Sequence, residues 1–303
     1  MKGRHTMTTT AAITAPASLG DGTRSAGERI LRSALATAAD NLEPLMNIYQ
    51  PYVEGLANLP ADGRFLLVGN HTQLAAAEVI LIPYFVRQAL GRQVRTLADR
   101  QFGKGGGLQA SLVAAYGAII GSPEAAATLM RADEPILVFP GGGREISKFK
   151  GEQYQLRWDN RFGFARVAIE HQYPIVTAAL VGGDDVYTSL TTRTGLYGRA
   201  SEWLGRRLNG RADMAMPLLR GVGPTLVPRP QRMYLRFGSP ITTVRPPDLS
   251  PEDWTHRVKD DTQAQLEADL KDLQQIRCTD PYRALNPLSW RSAATPTSAD
   301  TDR

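Results

Sequence analysis

Arg64-Phe65-Leu66-Leu67-Val68-Gly69-Asn70-His71 is the stretch on which the fold turns. A short, unbroken apolar run closed by glycine reads as a buried strand. The residues around it keep the same rhythm. A helix is expected over 72–90, kinked or broken at Pro83. A strand follows over 94–98, then a glycine turn over 103–107 and an apolar helix over 108–116. The next strand is expected over 117–120. Ser122-Pro123-Glu124 then starts a helix, with serine as cap and proline in the first turn. The clearest strand is 135–140, followed by a helix over 161–171 and a strand over 174–181. This alternation predicts an α/β fold with a mostly parallel central sheet flanked by helices.

Before the deciding strand, Ile30, Leu31, Leu35, Leu42 and Leu45 recur at helical spacing, which predicts a helix over 26–49. A break containing Pro51 and Pro60 separates the two. Toward the carboxyl end a strand is expected over 233–237. Ser250-Pro251-Glu252-Asp253 then opens a long helix over 251–277, with Trp254, Val258, Leu266, Leu270 and Leu273 as its apolar face. A single domain over 26–278 accounts for the pattern. Composition predicts disordered tails over 1–25 and 286–303.

The chain has 303 residues, a formal charge of +5 and one cysteine, Cys278. An intramolecular disulfide is therefore excluded, and the thiol count fits a reducing compartment. No run of about 18 apolar residues is present, so no spanning helix is expected. The first residues lack the apolar centre of a signal peptide. The expected location is cytoplasmic, in peripheral contact with a membrane.

Two motifs carry chemistry. His71 falls where a buried strand ends, and side chains at the carboxyl ends of parallel strands line ligand crevices. A neutral imidazole there can accept a hydroxyl proton. The other three histidines fall in the tail (His5) or on predicted helices (His171, His256). The second motif is Phe139-Pro140-Gly141-Gly142-Gly143-Arg144-Glu145, again directly after a strand. Its glycines would let the backbone approach a ligand or form an anion-binding nest, and Arg144 can hold a phosphate or carboxylate. A tight structural turn with a solvated Arg–Glu pair fits the same residues. The loop lacks the pattern of a P-loop.

Asn70-His71, the 139–145 motif and Pro174-Ile175-Val176, in this order, resemble the glycerophospholipid acyltransferase superfamily. That family carries N-H-x-x-x-x-D, a later F-P-E-G-T-R and a downstream V-P block. The glycine-rich second motif is similar to the branch of diacylglycerol acyltransferases and phytyl or wax ester synthases. Gly117-Ala118-Ile119-Ile120, Leu180-Val181-Gly182-Gly183-Asp184-Asp185 and Phe237-Gly238-Ser239-Pro240-Ile241 extend the likeness over about 56–243. The resemblance implies O-acyl transfer from acyl-CoA or an acyl carrier protein to a hydroxyl of a glycerolipid or long-chain alcohol. His71 would be the general base. Asn70, Gly141, Gly142, Gly143, Arg144 and Glu145 would serve substrate binding. No cofactor or metal is implied; acyl-CoA is a co-substrate.

The sequence departs from the family in two places. Ala76 stands where the aspartate is expected, and the next acid is Glu78. On a regular helix the two turns between His71 and Glu78 span about 10 Å. Contact therefore requires His71 to precede the helix or the helix to be irregular. Glu78 is the first candidate for orienting the imidazole, with Glu145 and Asp99 as alternatives. A homologue that binds lipid with impaired catalysis is the second reading. Gly121-Ser122-Pro123 stands where phosphate-binding members carry arginine, which favours a neutral acceptor. Finally, the segment 196–219 mixes Leu196, Trp203, Leu204, Leu208, Met214 and Met216 with Arg199, Arg206, Arg207 and Arg211. It fits a basic helix lying in a lipid interface, or one packed on the core with a solvated basic face. The same arginines carry no nucleic-acid recognition motif, so no nucleic-acid partner is expected.

Overall fold

The computed structural model describes residues 42–75, 77–98, 119–209 and 215–285. The predicted tails, most of the helix over 26–49, the glycine turn over 103–107 and the helix over 108–116 lie outside the described residues, as do Ala76, Asp99 and Met214.

Among the described residues the central sheet has seven strands, taken here in chain order as β1 (Tyr52–Glu54), β2 (Leu66–Gly69), β3 (Arg95–Ala98), β4 (Ile119–Ile120), β5 (Ile136–Val138), β6 (Ile175–Val181) and β9 (Tyr234–Phe237). Their spatial order is β1-β9-β6-β2-β5-β3-β4. Only the β6–β9 pair is antiparallel. The deciding strand β2 is therefore central, with β6 in register on one side and β5 on the other. A separate two-stranded ribbon joins β7 (Thr188–Ser189) to β8 (Leu219–Arg220).

Alternation along β2 and β6 divides the core. Leu66, Val68, Ile175, Ala179 and Val181 pack against the long helix α7 (Pro251–Thr279), through Trp254, Val258, Leu266, Leu270 and Leu273. On that face lie also α3 (Pro123–Arg131) and α5 (Gly163–Glu170). Phe65, Leu67, Val176, Ala178 and Leu180 face the other way, onto Leu81, Ile82 and Val86 of α2 (Glu78–Leu90) and Met46 of α1 (Glu43–Tyr49). Each fully buried Val, Leu, Ile, Phe or Met side chain among them contributes about 1.5–3 kcal/mol. The sheet is thus covered on both faces, which is why β2 and β6 read as continuous apolar runs rather than as alternating ones.

Capping sets the helix starts. Ser122 accepts from the Ala125 amide at 3.1 Å, and Ser250 accepts from the Asp253 amide at 3.1 Å, each followed by proline. One expected boundary is wrong in a consequential way. The helix predicted from residue 72 begins at Glu78 and runs through Pro83. Before it, Gln73–Ala75 form a 3-10 turn in which Leu74 (φ 66°) and Ala75 (φ 52°) are left-handed. Left-handed backbone costs a non-glycine residue roughly 1–2 kcal/mol. It also reverses the chain, so that the start of α2 folds back over the end of β2. Strand β1 was not expected; three residues after Pro51 leave no periodic signal.

Candidate active site

The carboxyl ends of β2, β5 and β6 meet side by side, and each leads into residues of the site. Gly69 ends β2 and packs so closely that an added Cβ would fall 2.9 Å from the Phe139 ring and 3.2 Å from the Ala178 carbonyl. Asn70 follows. Its amide donates to the Leu180 carbonyl at 3.0 Å and its carbonyl accepts from the Leu180 amide at 2.8 Å. Asn70 is therefore a clamp between β2 and the end of β6, and its polar atoms face the backbone rather than a ligand.

His71 is next, and its side chain retains 11% exposure. Its Nδ1 lies 2.8 Å from Oε1 of Glu78. The same oxygen accepts from the Thr72 amide at 2.8 Å, and Oε2 accepts from the Thr72 hydroxyl at 2.5 Å. Burial pushes the Glu78 carboxyl up. The hydrogen bond and charge of His71, with the two bonds from Thr72, outweigh that and hold it below the usual glutamate range. An ionised carboxylate only accepts, so Nδ1 carries the proton. In the neutral ring Nε2 then presents a lone pair. The ring face stacks on Phe139 at 4.1 Å between centroids.

The second motif holds the backbone of the first. The Glu145 carboxylate, fully buried, accepts from the His71 amide at 3.0 Å and from the Arg157 amide at 2.8 Å. Burial raises its pKa, against the pull of those amides and of Lys148. Lys148 Nζ donates to the His71 carbonyl at 2.7 Å and to Asp184 Oδ2 at 2.7 Å. Asp184 in turn accepts from the amides of Gln73 and Tyr154. Burial pushes the Asp184 carboxyl up, opposed chiefly by Lys148. Gly183 lies against Thr72; a Cβ there would stand 2.5 Å from the Thr72 methyl. His71 is thus fixed at three points: ring, amide and carbonyl.

The glycine loop differs from the expected nest. A Cβ on Gly141 would collide with the Glu145 carboxyl at 2.0 Å, so this glycine makes room for a buried acid. Gly142 has φ 51°, the left-handed turn that lets the short helix α4 (Gly143–Ile146) start. The carbonyls of Pro140 and Gly141 accept from Arg161. Glu145, expected among the substrate contacts, points inward with both carboxylate oxygens held by backbone amides. Asn70, expected there too, is held to the Leu180 backbone. Arg144 lies on the surface, paired with Asp159. That exposed pair is worth about 0–1 kcal/mol, so the guanidinium remains available to a ligand.

The structure brings together His71, Glu78, Asn70 and Glu145, and leaves Arg144 at the rim. Sequence reading passed over Phe139, Thr72, Lys148 and Asp184. Phe139 and Asp184 stood inside quoted motifs, while Lys148 follows Glu145 by three residues without a motif of its own. Among the described residues no group of histidine, cysteine or acidic side chains could hold a metal ion.

A buried, carboxylate-oriented histidine at the carboxyl ends of central parallel strands defines an α/β domain equipped to take a proton from a hydroxyl. Residues 50–181 match the Acyltransferase family model, so this segment of the chain is similar to that family. The chain is 30% identical over 256 residues to phytyl ester synthase 2 of Arabidopsis thaliana, covering 78% of this chain and 36% of that protein. It is 30% identical over 148 residues to the human DGAT1/2-independent enzyme synthesizing storage lipids, covering 48% of this chain and 43% of that protein. The chain thus spans less than half of either relative. The solved 1-acyl-sn-glycerophosphate acyltransferase PlsC of Thermotoga maritima superposes with a TM-score of 0.41 at 13% identity, over 84% of this chain and 82% of that one.

Proposed function

We propose that the protein is an O-acyltransferase that moves a fatty acyl group from acyl-CoA or acyl carrier protein to a hydroxyl of a glycerolipid or long-chain alcohol. The observation that carries this reading is the 2.8 Å contact between His71 Nδ1 and Glu78. It leaves Nε2 to take the proton of the acceptor hydroxyl as that oxygen attacks the thioester carbonyl. The tetrahedral intermediate then collapses, and the C–S bond breaks. The proton returns from the imidazolium to the leaving thiolate, and Glu78 balances the ring's charge meanwhile. Base catalysis of this kind supplies roughly 10²–10⁴-fold.

Glu78 fills the place left by Ala76, because the chain reversal at Leu74 and Ala75 brings it within reach. The intact pair favours catalysis over the reading of a lipid-binding homologue with a lost dyad. The test is transfer of a labelled acyl group from acyl-CoA to a panel of diacylglycerol, long-chain alcohol and glycerol phosphate. Product with the neutral acceptors supports the reading, and binding of acyl-CoA without product on any acceptor refutes it. A preference for glycerol phosphate that Arg144→Gln abolishes would move the acceptor to the phosphorylated class.

Membrane contact belongs to the same proposal. Helix α6 (Leu196–Asn209) carries Arg199, Arg206 and Arg207 with Leu196, Trp203 and Leu204, all three apolar residues exposed. Among the described residues no helix is long and apolar enough to cross a membrane. Arg206→Gln with Arg207→Gln should weaken binding to anionic vesicles more than to neutral ones, and Trp203→Ala should weaken both. Wild-type protein that ignores both vesicle types would remove α6 from the interface.

A further inference from the structure

The large apolar side chains exposed among the described residues all fall between Leu190 and Val227, except Ile48 and Val244. Part of that set lies on α6. A second part does not. Residues beyond β8 fold into a small tip, closed by bonds from the Gly221 amide to Thr225 and from the Val222 amide to Val227 at 2.7 and 2.8 Å. Its outer side chains, Val222, Leu226 and Val227, are 47%, 68% and 59% exposed. Three aliphatic side chains turned outward on one small tip form the kind of exposed apolar patch that marks an interaction surface.

Charge accompanies it. Arg220, Gly221, Gly223, Pro224 and Arg229 line an open cleft at the base of the tip. Arg229 donates to the Thr188 hydroxyl at 2.6 Å, while its buried Nε has no hydrogen-bond partner among the described residues. Among the described residues neither Arg220 nor Arg229 pairs with a carboxylate, whereas Arg193, Arg232 and Arg236 each do. Two guanidiniums lining one open cleft call for an anion.

We propose that residues 219–229 are a lipid-docking hairpin, separate from α6. Val222, Leu226 and Val227 enter the apolar layer of an anionic bilayer, and the Arg220–Arg229 cleft seats a lipid phosphate. An anionic bilayer is the occupant that offers hydrocarbon and phosphate side by side. The hairpin region is fastened to the site: Ser189 donates to the Lys148 carbonyl, the Lys150 amide donates to Thr191, and Ser147 donates to the Ala215 carbonyl. Lys148 is the residue that holds the His71 carbonyl. The docked bilayer would therefore lie beside the His71 site. The role of that site rests on the acyltransferase reading; docking itself does not.

The test is flotation of the full chain with vesicles of phosphatidylcholine alone and of phosphatidylcholine mixed with phosphatidylglycerol. Leu226→Asp with Val227→Asp should lower binding to the mixed vesicles more than tenfold. Arg220→Gln should lower it about fivefold and flatten its salt dependence, with little change on neutral vesicles. Acyl transfer to a detergent-dispersed acceptor should stay at the wild-type rate in both variants, with unchanged melting curves. Wild-type binding to neither vesicle type overturns the proposal, as does a folded double aspartate variant that floats like wild type. A variant that loses only self-association in sedimentation, with flotation intact, also overturns it, because the tip would then serve a second copy. Loss of transfer on dispersed acceptor by wild type would sink the acyltransferase reading and leave docking standing.

Discussion

Replacing Glu78 with glutamine separates charge from geometry at the candidate dyad. Oε1 of Glu78 accepts from both His71 Nδ1 and the Thr72 amide, and Oε2 accepts from the Thr72 hydroxyl. The backbone amide can only donate, so it fixes the glutamine oxygen at the Oε1 place and the amide nitrogen at the other. There the Thr72 hydroxyl can rotate to accept. The Nδ1–H tautomer survives the substitution, and what disappears is the negative charge that stabilises the imidazolium. A hydrogen bond to a charged group contributes about 1.5–3 kcal/mol, against about 0.5–1.5 for a neutral one. The difference, about 1–2 kcal/mol, corresponds to a fall in kcat of roughly 5–30-fold. KM should change little, because the charge acts on the chemical step. Steady-state transfer from labelled acyl-CoA measures both constants, and circular dichroism checks the fold. A folded Glu78→Gln enzyme with wild-type kcat would refute the reasoning, and so would an effect confined to KM.

Three further outcomes follow from the same contacts. Lys148→Met strands the Asp184 carboxylate in a fully buried position, and chemical unfolding should register a loss of about 3–5 kcal/mol, partly recovered by adding Asp184→Asn. Gly183→Ala drives a Cβ into Thr72, so about 1–3 kcal/mol of overpacking should accompany a lower kcat, as Thr72 is displaced from Glu78. The pH dependence has a definite sign. Glu78 is held below its ordinary value when folded, so its contribution is present above the ordinary range, about 4.3, and is lost as pH falls through its depressed value. Glu145 and Asp184 are raised and act in the opposite direction, and the Glu78→Gln variant retains both. The melting-temperature difference between wild type and Glu78→Gln should therefore move in favour of wild type as pH rises through that range. A difference that does not vary with pH would contradict the assigned shift.

Much of the fold is legible in the residues. Strands β2 and β6 announce themselves because burial on both faces leaves them almost wholly apolar, with Thr177 the one polar side chain, and α7 does so because Ser250, Pro251 and the acids after them set its start. Short strands at the edge are harder to read; β1 has three residues and depends on β9 for its place. The site was half legible. His71 and Glu78 could be named, but their contact could not be derived. It depends on left-handed backbone at Leu74 and Ala75, and neither residue type signals that conformation. The glycine motif misleads for a related reason. Glycine permits close approach of a ligand or of the protein's own side chain, and at Gly141 the neighbour is the buried Glu145 carboxyl. Nor does any periodicity reveal that Lys148 reaches 77 residues back along the chain to the His71 carbonyl.

The measurement that bears most directly on the central claim is acyl transfer by His71→Ala beside wild type, with labelled acyl-CoA and a neutral lipid or alcohol acceptor. Removal of Nε2 deletes the only base proposed for the acceptor proton. The variant should keep the wild-type circular dichroism and lose at least about 10²-fold in kcat. Ester product formed by the folded variant at a rate within a few-fold of wild type would contradict the account.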